Sequence, residues 1–296
     1  MRWMVPRPPV YLPALLSLLL ACGPGEVTMG PGGQLEHASA ATLLAAGDIA
    51  GCSEKYNDEA TSAMLLTLAG TVAALGDVVQ KNGEHWEYRK CYHPTWGRVL
   101  SRTRPSPGNH DYRTAQAAAY YEYFGGLAGP SGRGWYTYRL GAWRIYSLNS
   151  ERNIAQQATW LQKQLAATPS KCVLAYWHRP LYTSGRNPGE SSVRPLFDVL
   201  YKARAEVVLS GHNHNYERFA PQDADGHARA AGIRQFVVGT GGAPLEAFVT
   251  IQPNSQVRRA DRWGVLRLRL YQDSYSWEFL PVGGGDPLDS GSGACR

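Results

Sequence analysis

The chain carries little surplus charge. Its 30 Lys and Arg against 24 Asp and Glu leave +6 over 296 residues, and +4 once Arg2 and Arg7 near the N-terminus are set aside. That excess is too small to argue for a nucleic-acid partner, which calls for a concentrated basic face. The densest basic segments, RVLSRTR at 98–104, RRADR at 258–262 and LRLRL at 266–270, read as solvated surface, and the last alternates with the period of a half-exposed strand. No internal repeat is present, and no apolar run after residue 21 has the length of a membrane span. A serine nucleophile on a GxSxG elbow is missing as well. The Gly-rich GTGGAP at 239–244 lacks the lysine and helix of a phosphate-binding P-loop, which leaves it as a turn after the strand QFVV.

What is there begins with an ordinary globular composition, 44% hydrophobic and 18% charged. The first 22 residues stand apart. Arg2 and Arg7 precede an apolar stretch, Val10 to Ala21, in a proline-rich context that suits an export signal better than a core helix. Its end, LLAC, resembles the lipobox of bacterial lipoproteins and would make Cys22 the lipid-bearing residue of a membrane-anchored mature chain. Plain cleavage near Ala21 is the alternative, and both imply an exported protein, anchored in the bacterial envelope or secreted. Residues 23–40, rich in Gly and Pro, read as a tether; 41–285 as the folded domain; and 286–296 as a disulfide-tied tail. Beside Cys22, four cysteines remain for two disulfides in an oxidising compartment. Of three possible pairings, Cys52 with Cys91 and Cys172 with Cys295 is favoured.

Short apolar runs then alternate with helical patterns. ATLLAAGD, TVAALGD, CVLAYWH and EVVLSGH each end in a polar residue and a turn-prone stretch, as buried strands do. Helices are expected at DEATSAMLLTLA, with Asp58 as its cap, and at PTWGRVLSR, AQAAAYYEYF, QQATWLQKQLAA and VRPLFDVLYKAR. WYTYRLGAWRIYSLNS, IRQFVVGTGG and GVLRLRLYQDSYSWEFLPV read as strands with tight turns. The order implies an α/β domain with two sheets between helical layers.

Polar residues at the ends of these runs form a set: Asp48, Asp77, Asn109, His110, Asp111, His178, His212 and His214. In an α/β sheet the carboxyl ends of strands converge on one crevice, and carboxylates, an amide oxygen and imidazoles together suit divalent ions such as Zn, Mn or Fe. Taken in order, GDIAG, LGDVV, PGNHD, YWHRPLY and SGHNHNYER resemble the five blocks of the calcineurin-like metallophosphoesterases. WHRPLY and GHNHNYER are closest to the purple acid phosphatase branch. The resemblance covers 43–218 and implies a four-layer αββα sandwich of two mixed β-sheets flanked by helices. It implies two divalent ions, Fe, Mn or Zn, bridged by Asp77, the first also held by Asp48 and His214, the second by Asn109, His178 and His212. The pair would hold a hydroxide that attacks a phosphate ester. His110 would protonate the leaving alkoxide, and Asp111 would orient its imidazole.

Two departures qualify this reading. Many members of the family have a histidine two places after the first aspartate, where this chain has Ala50, and purple acid phosphatases have a tyrosine three places after the second, where it has Gln80. Without that phenolate the protein is expected to be colourless. Three accounts of the first site stay open: Gln80 as a weak carbonyl ligand; His85, Tyr56 or Tyr88 as a substitute; or a vacant site. Phosphomonoester hydrolysis is the leading reading. A phosphodiesterase of the same fold and a degenerate, metal-binding surface protein are the alternatives. Tyr216, Glu217 and Arg218 are expected to pack locally, whereas Arg179 and Tyr182 are candidates to line the pocket.

Overall fold

The computed structural model describes residues 27–29, 35–37, 40–130 and 132–296. The export segment and Cys22 lie outside these residues. Within the expected tether, Val27–Met29 (β1) and Leu35–His37 (β2) pair as an antiparallel ribbon.

Two mixed sheets form the body. In the first, Ala41–Ala46 (β3), Thr71–Leu75 (β4) and Thr103–Ser106 (β5) run parallel. Their partners Gly264–Leu270 (β13), Ser274–Pro281 (β14) and Asp289–Ala294 (β15) extend it antiparallel, in the order β15-β14-β13-β3-β4-β5. The second contains Tyr136–Leu140 (β6), Trp143–Ser147 (β7), Val173–Tyr176 (β8), Val207–Ser210 (β9), Tyr216–Phe219 (β10), Arg234–Val238 (β11) and Ser255–Arg259 (β12), in the order β12-β10-β11-β9-β8-β7-β6. Its strands β7, β8, β9 and β11 are parallel. Runs such as VVLS in β9 are buried along their whole length because parallel strands are covered on both faces.

The sheets face each other across an aromatic layer. Tyr216 of β10 stacks on Phe279 of β14 with ring centroids 4.1 Å apart, and Phe236 of β11 meets Trp277 of β14 at 5.7 Å. Outside the second sheet, Ile154–Ala167 (α4) and Arg194–Lys202 (α5) contribute Leu161, Leu196, Phe197 and Leu200 to a core with Tyr146, Ala175 and Val208. Outside the first, Asp58–Thr67 (α1) packs on the 3-10 segment Trp96–Arg102, where the Trp96 indole donates to Thr61 Oγ1 at 2.9 Å. Two shorter helices, His85–Glu87 (α2) and Ala118–Phe124 (α3), lie between β4 and β6. The architecture is the expected one of two mixed sheets between helices.

Local differences have physical causes. Asp58 is the first residue of α1 rather than its cap. The preceding Asn57 makes no side-chain capping bond, and its N–H donates to the Gly242 carbonyl instead. PTWGRVLSR forms a 3-10 segment broken at Val99, and AQAAAYYEYF is α-helical only from Ala118, after a 3-10 turn in which Gln116 and Ala117 enter the left-handed region. Strand β5 hides a Pro in its sequence; Pro105 is tolerated because β5 is an edge strand. RRADR supplies Arg258 and Arg259 to β12, the edge of the other sheet, where basic side chains discourage further pairing. The expected tail is no tail: β15 completes the first sheet. Disulfides join Cys52 to Cys91 and Cys172 to Cys295, the favoured pairing.

Candidate metal centre

Four buried parallel strands share one construction. Asp48, Asp77, His178 and His212 each stand two residues beyond the last residue of β3, β4, β8 and β9. Main-chain bonds hold the strand ends together: Asp48 N–H donates to Gly76 O at 3.1 Å, and Gly211 N–H to His178 O at 2.9 Å. Asp48, Asp77 and His212 have φ of 58°, 46° and 72°. Non-glycine residues in this left-handed region cost of order 1–3 kcal/mol each, a strain concentrated where side chains must turn into a crevice. Gly108 and Gly211 keep the backbone close: a Cβ on Gly108 would lie 2.3 Å from Asp77 Oδ1, and one on Gly211 2.6 Å from Asp48 Oδ2.

The side chains form two neighbouring groups. In one, His178 Nε2 lies 3.2 Å from each of Asp77 Oδ2, Asn109 Oδ1 and His212 Nδ1. His178 Nδ1 is 2.9 Å from the Leu75 carbonyl and must donate to it, so a neutral His178 aims a lone pair at Nε2 into a cluster of other acceptors. Only a proton or a cation resolves that crowding. Burial opposes the charged form of His178, but the Asp77 carboxylate overcomes it and lifts the pKa to about 10. Burial and the neighbouring His178 push His212 down to about 3, which keeps it a neutral donor.

The other group holds Asp48 and His214. Asp48 Oδ2 accepts the His212 N–H at 2.7 Å, whereas its buried Oδ1 has no hydrogen-bond partner among the described residues and lies 3.4 Å from His214 Nε2. His214 Nδ1 donates to the Pro244 carbonyl at 3.0 Å, again leaving Nε2 as the inward atom. Burial works against its charging, and the Asp48 carboxylate beside it outweighs this, lifting the pKa to about 9. An orphaned buried carboxylate oxygen beside an inward imidazole, and four acceptors converging next to it, fit divalent cations of borderline hardness. Main-chain carbonyls on the outer nitrogens are the orienting contacts such imidazoles use.

Gln80 is turned away from this role on its nitrogen side, since Nε2 donates to the Asp77 main-chain carbonyl at 3.2 Å. The expected substitutes are engaged elsewhere. Tyr88 OH donates to Asp111 Oδ1 at 2.6 Å, His85 pairs with Glu122 at 3.1 Å, and the Tyr56 ring covers Gly51. Burial, then the Asp111 charge, pushes the Tyr88 phenol well above its ordinary range and disfavours a phenolate.

His110 stands at the lip, with Nε2 3.7 Å from Asp77 Oδ2 and 3.2 Å from Arg113 Nη2, and its N–H donates to Asp77 Oδ1 at 2.7 Å. The assignment of Asp111 requires correction. Its Oδ2 accepts from Gly108 N–H at 2.8 Å and its Oδ1 from Tyr88, so it ties down the loop that carries Asn109 and His110 and does not orient the imidazole. Burial and the Asp77 charge raise its pKa to about 7, against the pull of these donors.

Tyr216 and Arg218 both bond to Asp289, and Glu217 accepts from Ser184, so these residues pack locally as expected. Tyr182 donates to the Ala224 carbonyl and leaves the pocket. Arg179 stays, with Nη1 3.4 Å from His212 Nε2. Ser150 and Glu151, which brace Arg179, were missed. They belong to no motif, and only their place beyond the carboxyl end of β7 could have flagged them.

Residues 41–216 match the family described as calcineurin-like phosphoesterase. The chain is 33% identical over 94 residues to purple acid phosphatase 21 of Arabidopsis thaliana, covering 30% of this chain and 20% of that one. It is 24% identical over 270 residues to probable inactive purple acid phosphatase 1 of the same plant, covering 73% and 43%. The matched segments thus span less than half the length of these curated relatives. Among solved structures, purple acid phosphatase PPD1 from yellow lupin, Lupinus luteus, aligns with a TM-score of 0.70 at 18% identity, covering 86% of this chain and 54% of that one.

Proposed function

The chain belongs to the calcineurin-like phosphoesterase family and is homologous to the purple acid phosphatases, and from that premise we propose that it hydrolyses phosphate esters, monoesters first, at a centre for two divalent ions. The observation that carries the reading is the convergence of Asp77, Asn109, His178 and His212 on one point, beside the orphaned Oδ1 of Asp48. Asp77, Asn109, His178 and His212 would hold one ion; Asp48, Asp77 and His214 the other. Bound there, such ions supply Lewis acidity toward phosphoryl oxygens and lower the pKa of a coordinated water.

The chain's own residues do the rest. Asp77 is fixed by the His110 N–H, so its carboxylate cannot rotate away from the imidazoles. His110 is the one imidazole of the group that no ligand position claims, and it sits where it can give a proton to a departing oxygen. Its replacement by Ala is expected to lower kcat about 10²-fold for an alkyl phosphate and far less for p-nitrophenyl phosphate, whose phenolate leaves without a proton. Equal losses on both substrates would remove His110 from the acid role.

A second reading rests on Gln80: with its amide nitrogen on the Asp77 carbonyl, the first site lacks the fourth ligand, and a protein that binds metal without turnover follows. A relative named as probably inactive is compatible with it. Metal content measured by plasma mass spectrometry, with hydrolysis of p-nitrophenyl phosphate and its bis ester under added Mn, Zn or Fe, separates the two. About two equivalents with metal-dependent turnover support the enzyme; one or none without turnover overturns it. The two disulfides fit an oxidising compartment, and export, with a lipid anchor at Cys22, is proposed on that basis and on the N-terminal sequence.

A further inference from the structure

Arg179 follows His178 directly and carries a guanidinium that no ligand position uses. Its Nε donates to both oxygens of Glu151, at 2.9 and 3.1 Å, and Glu151 has a side chain only 9% exposed. Ser150 closes the brace: its hydroxyl donates to Glu151 Oε1 at 2.9 Å and accepts the Arg179 N–H at 3.1 Å. Asn149, itself buried, takes the Glu151 N–H on Oδ1 at 2.9 Å. One edge of the guanidinium is therefore locked. The other brings Nη1 to 3.4 Å from His212 Nε2, at the rim of the candidate centre.

That contact is satisfied only while His212 Nε2 is an acceptor. A neutral His212 that turns Nδ1 toward a cation, on the side facing His178, carries its proton on Nε2. Two N–H donors then face one gap; water can satisfy both, and an anionic oxygen does so more strongly because the guanidinium is charged. Among the described residues, Arg179 has no side-chain acceptor other than Glu151 and His212, and its side chain is 27% exposed, so the gap is open to solvent and to an oxygen of a ligand.

We propose that Arg179, locked by Glu151 and Ser150, forms with His212 Nε2–H a two-donor clamp for a phosphoryl oxygen, and that this clamp makes phosphomonoesters the preferred substrate class. The proposal rests on the reading of the site as a metallophosphoesterase. A monoester dianion brings three terminal oxygens and two charges to a rigid guanidinium, whereas a diester brings two oxygens and one charge. Glu151 is a positioning residue in this scheme, since it aims the fork and touches no substrate.

The test uses the full chain loaded with Mn or Zn, as wild type and as Arg179→Met, Arg179→Lys and Glu151→Gln. Inorganic phosphate binding is measured by calorimetry, and kcat/KM on p-nitrophenyl phosphate and its bis ester. Arg179→Met is expected to weaken phosphate binding about 30-fold and to lower kcat/KM for the monoester about 10-fold more than for the diester, with metal content unchanged. Arg179→Lys should recover part of the phosphate affinity, and Glu151→Gln should raise KM with little change in kcat. An unchanged phosphate Kd, equal losses on both esters, or loss of metal from Arg179→Met would overturn the clamp. A wild type that hydrolyses neither ester would instead sink the enzymatic reading, while the phosphate Kd of the variants still decides whether the clamp exists.

Discussion

Asp77→Asn is expected to lower kcat/KM by on the order of 10³-fold or more and to strip bound metal from the protein. The size of the effect follows from where the two oxygens point. Oδ1 accepts the His110 N–H at 2.7 Å, and Oδ2 lies 3.2 Å from His178 Nε2 and 3.7 Å from His110 Nε2. An asparagine has one oxygen. If it keeps the His110 bond, its NH2 group faces the position where His178 and His212 present lone pairs, and a donor occupies the place of a cation. If it flips, two N–H donors oppose each other at Oδ1. The negative charge is lost in both arrangements, and it is a charge this site favours, since His178 and then His110 hold the Asp77 carboxyl below the usual carboxylate range despite its burial. The substitution is close to isosteric, so the fold should survive, and a circular dichroism spectrum like the wild type's with metal content below one equivalent is the diagnostic pair. Retained activity with full metal content would place the centre elsewhere.

The strands that carry the site were the most legible part of the sequence. LLAA, VAAL, VLAY and VVLS are short, apolar and followed, after one intervening residue, by an aspartate or a histidine, which leaves little but a buried parallel strand ending at a crevice. Their common offset of two residues between strand end and Asp or His was visible only in the structure. Roles were harder to read than positions. Asp111 adjoins His110 in the chain, yet the turn sends its carboxylate to Gly108 and Tyr88, because a tight loop needs its own N–H groups satisfied before it can serve a neighbour. Edge strands were hidden for a similar reason: Pro105, and the basic run around Arg258, contradict a central strand and are at home on an edge. Arg179 drew attention from its place beside His178, but the carboxylate that aims it sits 28 positions away in sequence, at the end of another strand, and pattern alone does not connect them.

Loss of the Cys172–Cys295 bond should lower stability far more than it lowers activity. The bond spans 123 residues, and chain-entropy arguments give about 5 kcal/mol for a loop of that length, against about 4 for the 39-residue separation of Cys52 and Cys91. It also joins the two sheets, since Cys172 immediately precedes β8 and Cys295 immediately follows β15. The same corner is tied by Glu206, which accepts from Val173 N–H at 2.8 Å and Arg296 N–H at 3.1 Å, so the C-terminal strand has a second, weaker hold. Cys172 enters β8 at the end opposite His178, so the proposed metal ligands lie a strand length away from the break. A Cys172→Ser, Cys295→Ser double variant is therefore expected to melt roughly 10 °C lower with wild-type metal content and turnover at 25 °C. The other disulfide behaves differently. Cys91 lies three residues from Tyr88, whose hydroxyl holds Asp111 and through it the loop bearing Asn109 and His110. Cutting Cys52 from Cys91 loosens that chain of contacts at the site, and activity should fall along with stability. Thermal melts and p-nitrophenyl phosphate assays on both double variants make the comparison. A catalytic loss confined to the Cys172–Cys295 variant would reverse the assignment of the two bonds to body and site.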